Sequence, residues 1–200
     1  MHLQDSTEIL LIRHAESAPR RAIPEAEWPL SPTGVRQAQQ LAEALQRWKI
    51  DAVFASPYTR AQATVEPFAQ AVGLSVSIIA DLRERKLAEG HWDDWLALLR
   101  HAWADFNFAL PHCESSYDCQ RRMRHCLEQL AATHRGQTLA VCSHGNAIAL
   151  YLNAIDNTFG FEAWAAMKNP DIFRITYNAG TPLWHKSFTL SGSAEQVPQP

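Results

Sequence analysis

Nowhere does this 200-residue chain approach the roughly 20 consecutive apolar residues that a membrane-crossing helix needs. Its first apolar run, Ile9-Leu10-Leu11-Ile12, stops at Arg13. The start also lacks the basic segment and longer apolar region of a secretory signal, so a reducing, cytoplasmic setting is expected. Cysteine is scarce: Cys113, Cys119, Cys126 and Cys142 form no C-x-x-C pair and no spacing of zinc ligands. No disulfide framework, metal or cofactor is therefore predicted. Cys119 and Cys126, seven apart on a predicted helix, share a face and read as small buried apolar residues. An excess of positive charge is missing too. Lys and Arg number 18 against 21 Asp and Glu, for a net charge of −3, and the cations are scattered. Nucleic acid and membrane surfaces usually require a basic stripe or patch, so neither is an expected partner. No feature specifies an oligomeric state.

What is present is the composition of a soluble globular protein, 46% hydrophobic and 20% charged. A chain of this length buries about 70% of the surface it exposes when unfolded, enough for one core without staples. Ile9–Ile12, Ala52–Phe54, Val76–Ile79 and Leu139–Cys142 read as short buried strands. Between them, Gly34–Trp48 places Val35, Ala38, Leu41, Ala42, Leu45 and Trp48 on one stripe, with Thr33 placed to cap that helix. A second helix follows Ser56-Pro57 and runs to about Val72. A third runs from Ser115 or Ser116 to about His134, and a fourth begins just after His144. Ile172–Tyr177 and Leu183–Leu190 form a closing pair of strands. Strand and helix in alternation predict an α/β fold, with a mainly parallel central sheet and helices on both faces. Residues 1–190 are expected to form one domain. The segment 85–113, rich in Trp and Phe (Trp92, Trp95, Trp103, Phe106, Phe108), would supply two short helices as a small cap. The tail, residues 191–200, is expected to be disordered.

Two histidines stand immediately after predicted strands: His14 in Arg13-His14-Ala15-Glu16, and His144 in Ser143-His144-Gly145-Asn146. Open α/β sheets bind ligands beyond the carboxyl ends of their strands, so both histidines point toward the place where a site should lie. Arg60, read as one turn into the second helix, belongs to the same edge. Arg13, Arg60 and the two histidines make a set of donors with no obvious carboxylate partner in sequence. A planar guanidinium suits phosphate oxygens bidentately, and the inferred ligand is a small phosphorylated molecule.

These residues carry a family resemblance. Arg13-His14-Ala15-Glu16, Leu30-Ser31-Pro32-Thr33-Gly34, Ser56-Pro57 with Arg60, Ala61 and Thr64, Leu82-Arg83-Glu84, Glu114-Ser115 and Ser143-His144-Gly145 resemble, in order, the blocks of the histidine phosphatase superfamily, the phosphoglycerate mutase-like proteins. The resemblance implies a phosphoglycerate mutase-like fold and a covalent phosphohistidine formed on His14. It implies phosphate oxygens held by Arg13, Arg60, His14 and His144, with His144 protonated. It also implies Glu84 as the acid that protonates the leaving oxygen, with Glu89, Asp93 and Asp94 as rivals. Glu16, Ser17 and Asn146 are possible substrate contacts, Glu16 acting more to orient its loop than to react. Alanine at position 15 departs from the glycine usual there, which matters only if that position needs a positive φ. Asn146 and Arg85 resemble the mutase branch.

Phosphatase and mutase share the first half-reaction and differ in whether water or a second hydroxyl takes the phosphoryl group. Cofactor-dependent mutases carry a long insertion between the acid and the glutamate-serine block, whereas Glu84 and Glu114 are only 30 positions apart here. The expected activity is metal-independent phosphomonoester hydrolysis. A phosphoglycerate-type mutase and a non-catalytic phospho-ligand binding module are the alternatives.

Overall fold

A computed structural model of the chain describes residues 6–89 and 94–189. Six strands, β1 (Thr7–Arg13), β2 (Ala52–Ala55), β3 (Val76–Ile78), β4 (Thr138–Ser143), β5 (Asp171–Asn178) and β6 (Thr181–Thr189), form one sheet in the order β3-β2-β4-β1-β5-β6. The first four in that order run parallel. β5 returns antiparallel to β1, and β6 antiparallel to β5. The expected mainly parallel sheet is the one found.

Helices α1 (Pro32–Leu45) and α2 (Thr59–Val72) cover one face, and α4 (Ser116–Thr133) and α5 (Gly145–Ile155) the other. With both faces covered, the central strands have no side for polar residues and read as continuous apolar runs. Alternation then sends neighbours to opposite cores. Leu10, Ile12, Val53, Ala55, Ala140 and Cys142 join Leu41, Leu45, Val65 and Phe68. Ile9, Leu11, Phe54, Leu139 and Val141 join Met123, Leu127, Ile148 and Tyr151. Cys119 and Cys126 share the buried face of α4, and all four cysteines are free.

The helix ends correct two readings. Ser31, not Thr33, caps α1: its Oγ accepts from Gly34 N at 2.9 Å, with Pro32 in the first turn. Proline there loses no needed N–H, so the helix starts two residues before the expected Gly34. α2 starts at Thr59, making Arg60 its second residue rather than one turn inside. Between residues 85 and 113, the described residues hold one α-helix, α3 (Trp95–Ala104), in place of two. Leu98, Leu99 and Ala102 of α3 pack with Leu87, and the partly buried Phe161 and Trp164 of α6 (Phe161–Ala165) pack against them. Trp103 is buried, but Trp95 is 45% exposed and contributes to no core. Trp92, Asp93, Leu190 and the tail from Ser191 lie outside the described residues. Among the described residues no helix is long and apolar enough to cross a membrane.

Candidate active site

The register of the sheet brings the two histidines together. Arg13 lies opposite Ser143 where β1 and β4 pair, so the next residue of each strand is His14 or His144, emerging side by side at the carboxyl edge. His14 N donates to Ser143 O at 3.1 Å, and on the other side of β4 Ser56 N donates to Cys142 O at 3.0 Å. Three adjacent parallel strands therefore deliver His14, His144 and Ser56 to one place. The imidazoles meet edge to face with centroids 5.1 Å apart. The Tyr58 ring also meets that of His144 edge to face, with centroids 4.8 Å apart.

Two neighbours settle the His14 tautomer. Ala15 O, which only accepts, lies 2.7 Å from Nδ1. Arg60 Nε, which only donates, lies 3.1 Å from Nε2. Nδ1 therefore carries the proton and Nε2 the lone pair. Burial, then the Arg60 charge, lowers the His14 pKa to about 3, with Arg13 adding to the same direction. The ring is neutral throughout the physiological range. Thr64 fixes this corner from beneath, its Oγ1 accepting from Ala15 N at 2.9 Å and donating to Arg60 O at 2.6 Å. Ala15 is not among the residues with positive φ, so alanine fits there without strain. Asn169 Nδ2 donates to His14 O at 2.7 Å, and Arg13 Nη1 donates to Met167 O at 2.9 Å.

His144 is fully buried. Its Nε2 is 2.7 Å from Ser56 Oγ, and its Nδ1 is buried with no protein partner among the described residues. Burial first, then His14 and Arg60, holds its pKa well below the usual value. The protonated form expected from the sequence is thus not the one these surroundings favour, because the ring is fully buried and the Arg60, Arg122 and Arg13 charges oppose another positive one. A phosphate dianion would reverse the sign of that field. Arg13 Nε is likewise buried without a partner among the described residues, and Gly145 leaves room for it: a Cβ there would stand 3.2 Å from that nitrogen.

Glu84 reaches the same edge from the loop after β3. Its Oε1 accepts from Arg85 N at 2.8 Å and Ala147 N at 2.9 Å, and its Oε2 from Asn146 N at 3.2 Å, which places the carboxylate on the first turn of α5. Burial raises its pKa against the opposing pull of the Arg85 N–H and the Arg60 charge. The rival Glu89 is exposed and paired with Lys86. Asp94 caps α3 by accepting from Ala97 N at 2.9 Å.

Not every expected contact joins the cluster. Glu16 turns toward the start of α1, accepting from Ser31 Oγ at 2.5 Å, and Ser17 bridges to Leu30. The Asn146 backbone serves Glu84, and its side-chain Oδ1 is buried without a partner among the described residues. Glu114 pairs with Arg122, and Ser115 caps α4. Arg60, expected to lack an acidic partner, has one in Glu25 at 2.8 Å. Glu25, Tyr58, Ser56 and Asn169 were not singled out in the sequence as parts of a site. Of these only Ser56 and Tyr58, in the run that ends at Arg60, carried a positional signal.

A family model of the histidine phosphatase superfamily (branch 1) matches residues 9–188, and the chain belongs to that superfamily. The chain is 28% identical over 197 residues to the "Probable phosphoglycerate mutase GpmB" of Shigella dysenteriae serotype 1 (strain Sd197), covering 90% of this chain and 88% of the relative. Among solved structures, a phosphoserine phosphatase of Entamoeba histolytica in complex with 3-phosphoglyceric acid matches with a TM-score of 0.75 at 19% identity, covering 92% of this chain and 98% of that one. A mycobacterial glucosyl-3-phosphoglycerate phosphatase matches at 0.72 and 22% identity, covering 90% and 97%. At such identities the two structures establish the shared fold.

Proposed function

We propose that the chain is a phosphomonoester hydrolase working through a phosphohistidine on His14, with Glu84 as proton donor. The observation that carries this reading is the pairing of a lone-pair nitrogen, His14 Nε2, with Arg60, Arg13 and His144 around one point at the sheet edge. A neutral imidazole is the nucleophilic form, and cationic or polar donors around it suit the charge that builds on the equatorial oxygens. In the first step the Nε2 lone pair bonds to phosphorus, the phosphorus–oxygen ester bond breaks, and Glu84 protonates the departing oxygen. In the second, Glu84 takes a proton from water as the water oxygen bonds to phosphorus. The phosphorus–nitrogen bond breaks, and its electron pair returns to Nε2. Glu84 ends protonated, as it began, and no metal or cofactor enters the cycle. The expected setting is the cytoplasm.

A mutase reading is supported by the name of the curated relative. It shares the first step and sends the phosphoryl group to a second substrate hydroxyl. Phosphate release from a panel of small phosphomonoesters, with EDTA present, separates the readings when wild type is run beside His14→Ala and 3-phosphoglycerate isomerisation is assayed in parallel. Release by wild type alone supports hydrolysis. Isomerisation without release supports the mutase, and silence in both assays leaves a binding module.

A further inference from the structure

Each nitrogen of the Arg60 guanidinium already has a partner. Nε donates to His14 Nε2 at 3.1 Å, Nη1 to Glu25 O at 2.8 Å and Nη2 to Glu25 Oε1 at 2.8 Å. The guanidinium carbon also lies over the Tyr58 ring, 4.9 Å from its centroid, and over that of Trp28 at 5.8 Å. The arginine is 4% exposed at its side chain, whereas the Glu25 side chain is 49% exposed. Glu25 thus stands between the buried guanidinium and solvent. It is carried there by a short 3-10 turn (Glu25–Glu27), which Trp28 ties down by donating from Nε1 to Arg20 O at 3.0 Å.

A guanidinium recognises carboxylate and phosphate oxygens with the same donors, so Nη2, which holds the Glu25 carboxylate, and Nη1, which holds the Glu25 backbone oxygen, are the nitrogens a phosphate would need. We propose that Glu25 is a built-in competitor for the substrate phosphate, which must take the Arg60 fork from it to bind. This rests on the reading of the His14 cluster as a phosphate site. The exchange is inexpensive, because a half-exposed carboxylate is re-solvated as it leaves and the incoming dianion carries more charge. Glu25 therefore sets affinity rather than blocking the site. The same exchange acts on the nucleophile. Arg60 Nε–H now rests on the Nε2 lone pair, and turning the fork toward phosphate takes that hydrogen off the nitrogen that must attack. In the reverse direction Glu25 reclaims Arg60 and helps expel product phosphate.

The test is calorimetric titration of inorganic phosphate into the wild-type chain, Glu25→Gln and Glu25→Asp, each checked for an unchanged melting profile. It needs no turnover. Glu25→Gln keeps the size and removes the competing charge, and should bind phosphate about three- to tenfold more tightly. Glu25→Asp should stay nearer wild type. KM for the best phosphomonoester and the inhibition constant of product phosphate should fall together in Glu25→Gln. Equal or weaker phosphate binding by Glu25→Gln, with wild type binding normally, would overturn the proposal and make Glu25 a support that aims Arg60. No binding by any of the three would instead remove the phosphate site on which the proposal rests.

Discussion

At His14, two neighbours that can each play only one hydrogen-bonding role decide which nitrogen holds the lone pair, and burial, aided by the Arg60 and Arg13 charges, keeps the ring neutral. Glu84 is tuned the other way: burial raises its pKa, so its acid form persists to higher pH than that of a free carboxyl. As the proposed general acid it would be active while protonated, and kcat/KM should fall as pH rises through that raised pKa. Glu84→Gln should remove this alkaline limb and lower kcat by about 10²- to 10⁴-fold on alkyl phosphates. The loss should be much smaller on an aryl phosphate whose leaving group needs no proton. A pH profile of both proteins on both substrates checks this, and equal losses on both would count against Glu84 as the donor. At position 145 the demand is for space. A Cβ would press on Arg13 Nε, Cζ and Nη2 at 3.2 to 3.3 Å, so Gly145→Ala should shift the guanidinium and lower kcat/KM severalfold while the melting temperature changes little. The residues at strand ends could be placed because the end of an apolar run marks the carboxyl edge of the sheet. Glu25 could not: its bond to Arg60 spans 35 positions and depends on how a loop folds back, which no periodicity encodes.

Among the elements, β1 and β4 do the positioning, and their apolar runs made them readable. A strand buried on both faces can hold little else, and the residue that ends the run marks the edge of the sheet. Helix starts were less readable. Ser31 and Thr33 both suit a cap, and the choice fell to Ser31 because Pro32 can occupy the first turn without losing a hydrogen bond. The Trp- and Phe-rich segment misled in a different way. Its aromatics divide between core and surface, so composition alone suggested more helix than the single α3 found among the described residues. The joint between the first loop and α1 is unusually close. A Cβ on Gly34 would fall 1.9 Å from Glu16 O, a backbone atom that cannot swing aside. Gly34→Ala should destabilise the fold by about 2–3 kcal/mol or more, seen as a lower midpoint in urea unfolding. An unchanged midpoint would mean that the loop relaxes freely.

Across the whole molecule, holding His14 and His144 neutral makes stability depend on pH. Both have folded pKa values below the ordinary 6.5, so the unfolded chain binds their protons more readily. Their contribution is intact above about pH 6.5 and is lost as pH falls toward the folded values. For each histidine the loss is on the order of 1 kcal/mol per pH unit in that window. The melting temperature should therefore drop between pH 7 and pH 5, and His14→Asn should flatten the slope. A slope identical to wild type would show that His14 is not held neutral. The same buried surroundings, with Arg60 and Arg13 beside them, that carry this cost in acid would suit the phosphoryl dianion of the proposed reaction.

The central claim is the covalent intermediate. Rapid-quench mass spectrometry of wild type mixed with a turned-over phosphomonoester, quenched in base to preserve acid-labile phosphohistidine, should show one added phosphoryl group on the peptide bearing His14. His14→Ala should show none and should lose at least about 10³-fold in turnover. Full turnover with no phosphorylated peptide, or a His14→Ala variant that still hydrolyses substrate near the wild-type rate, would contradict the account.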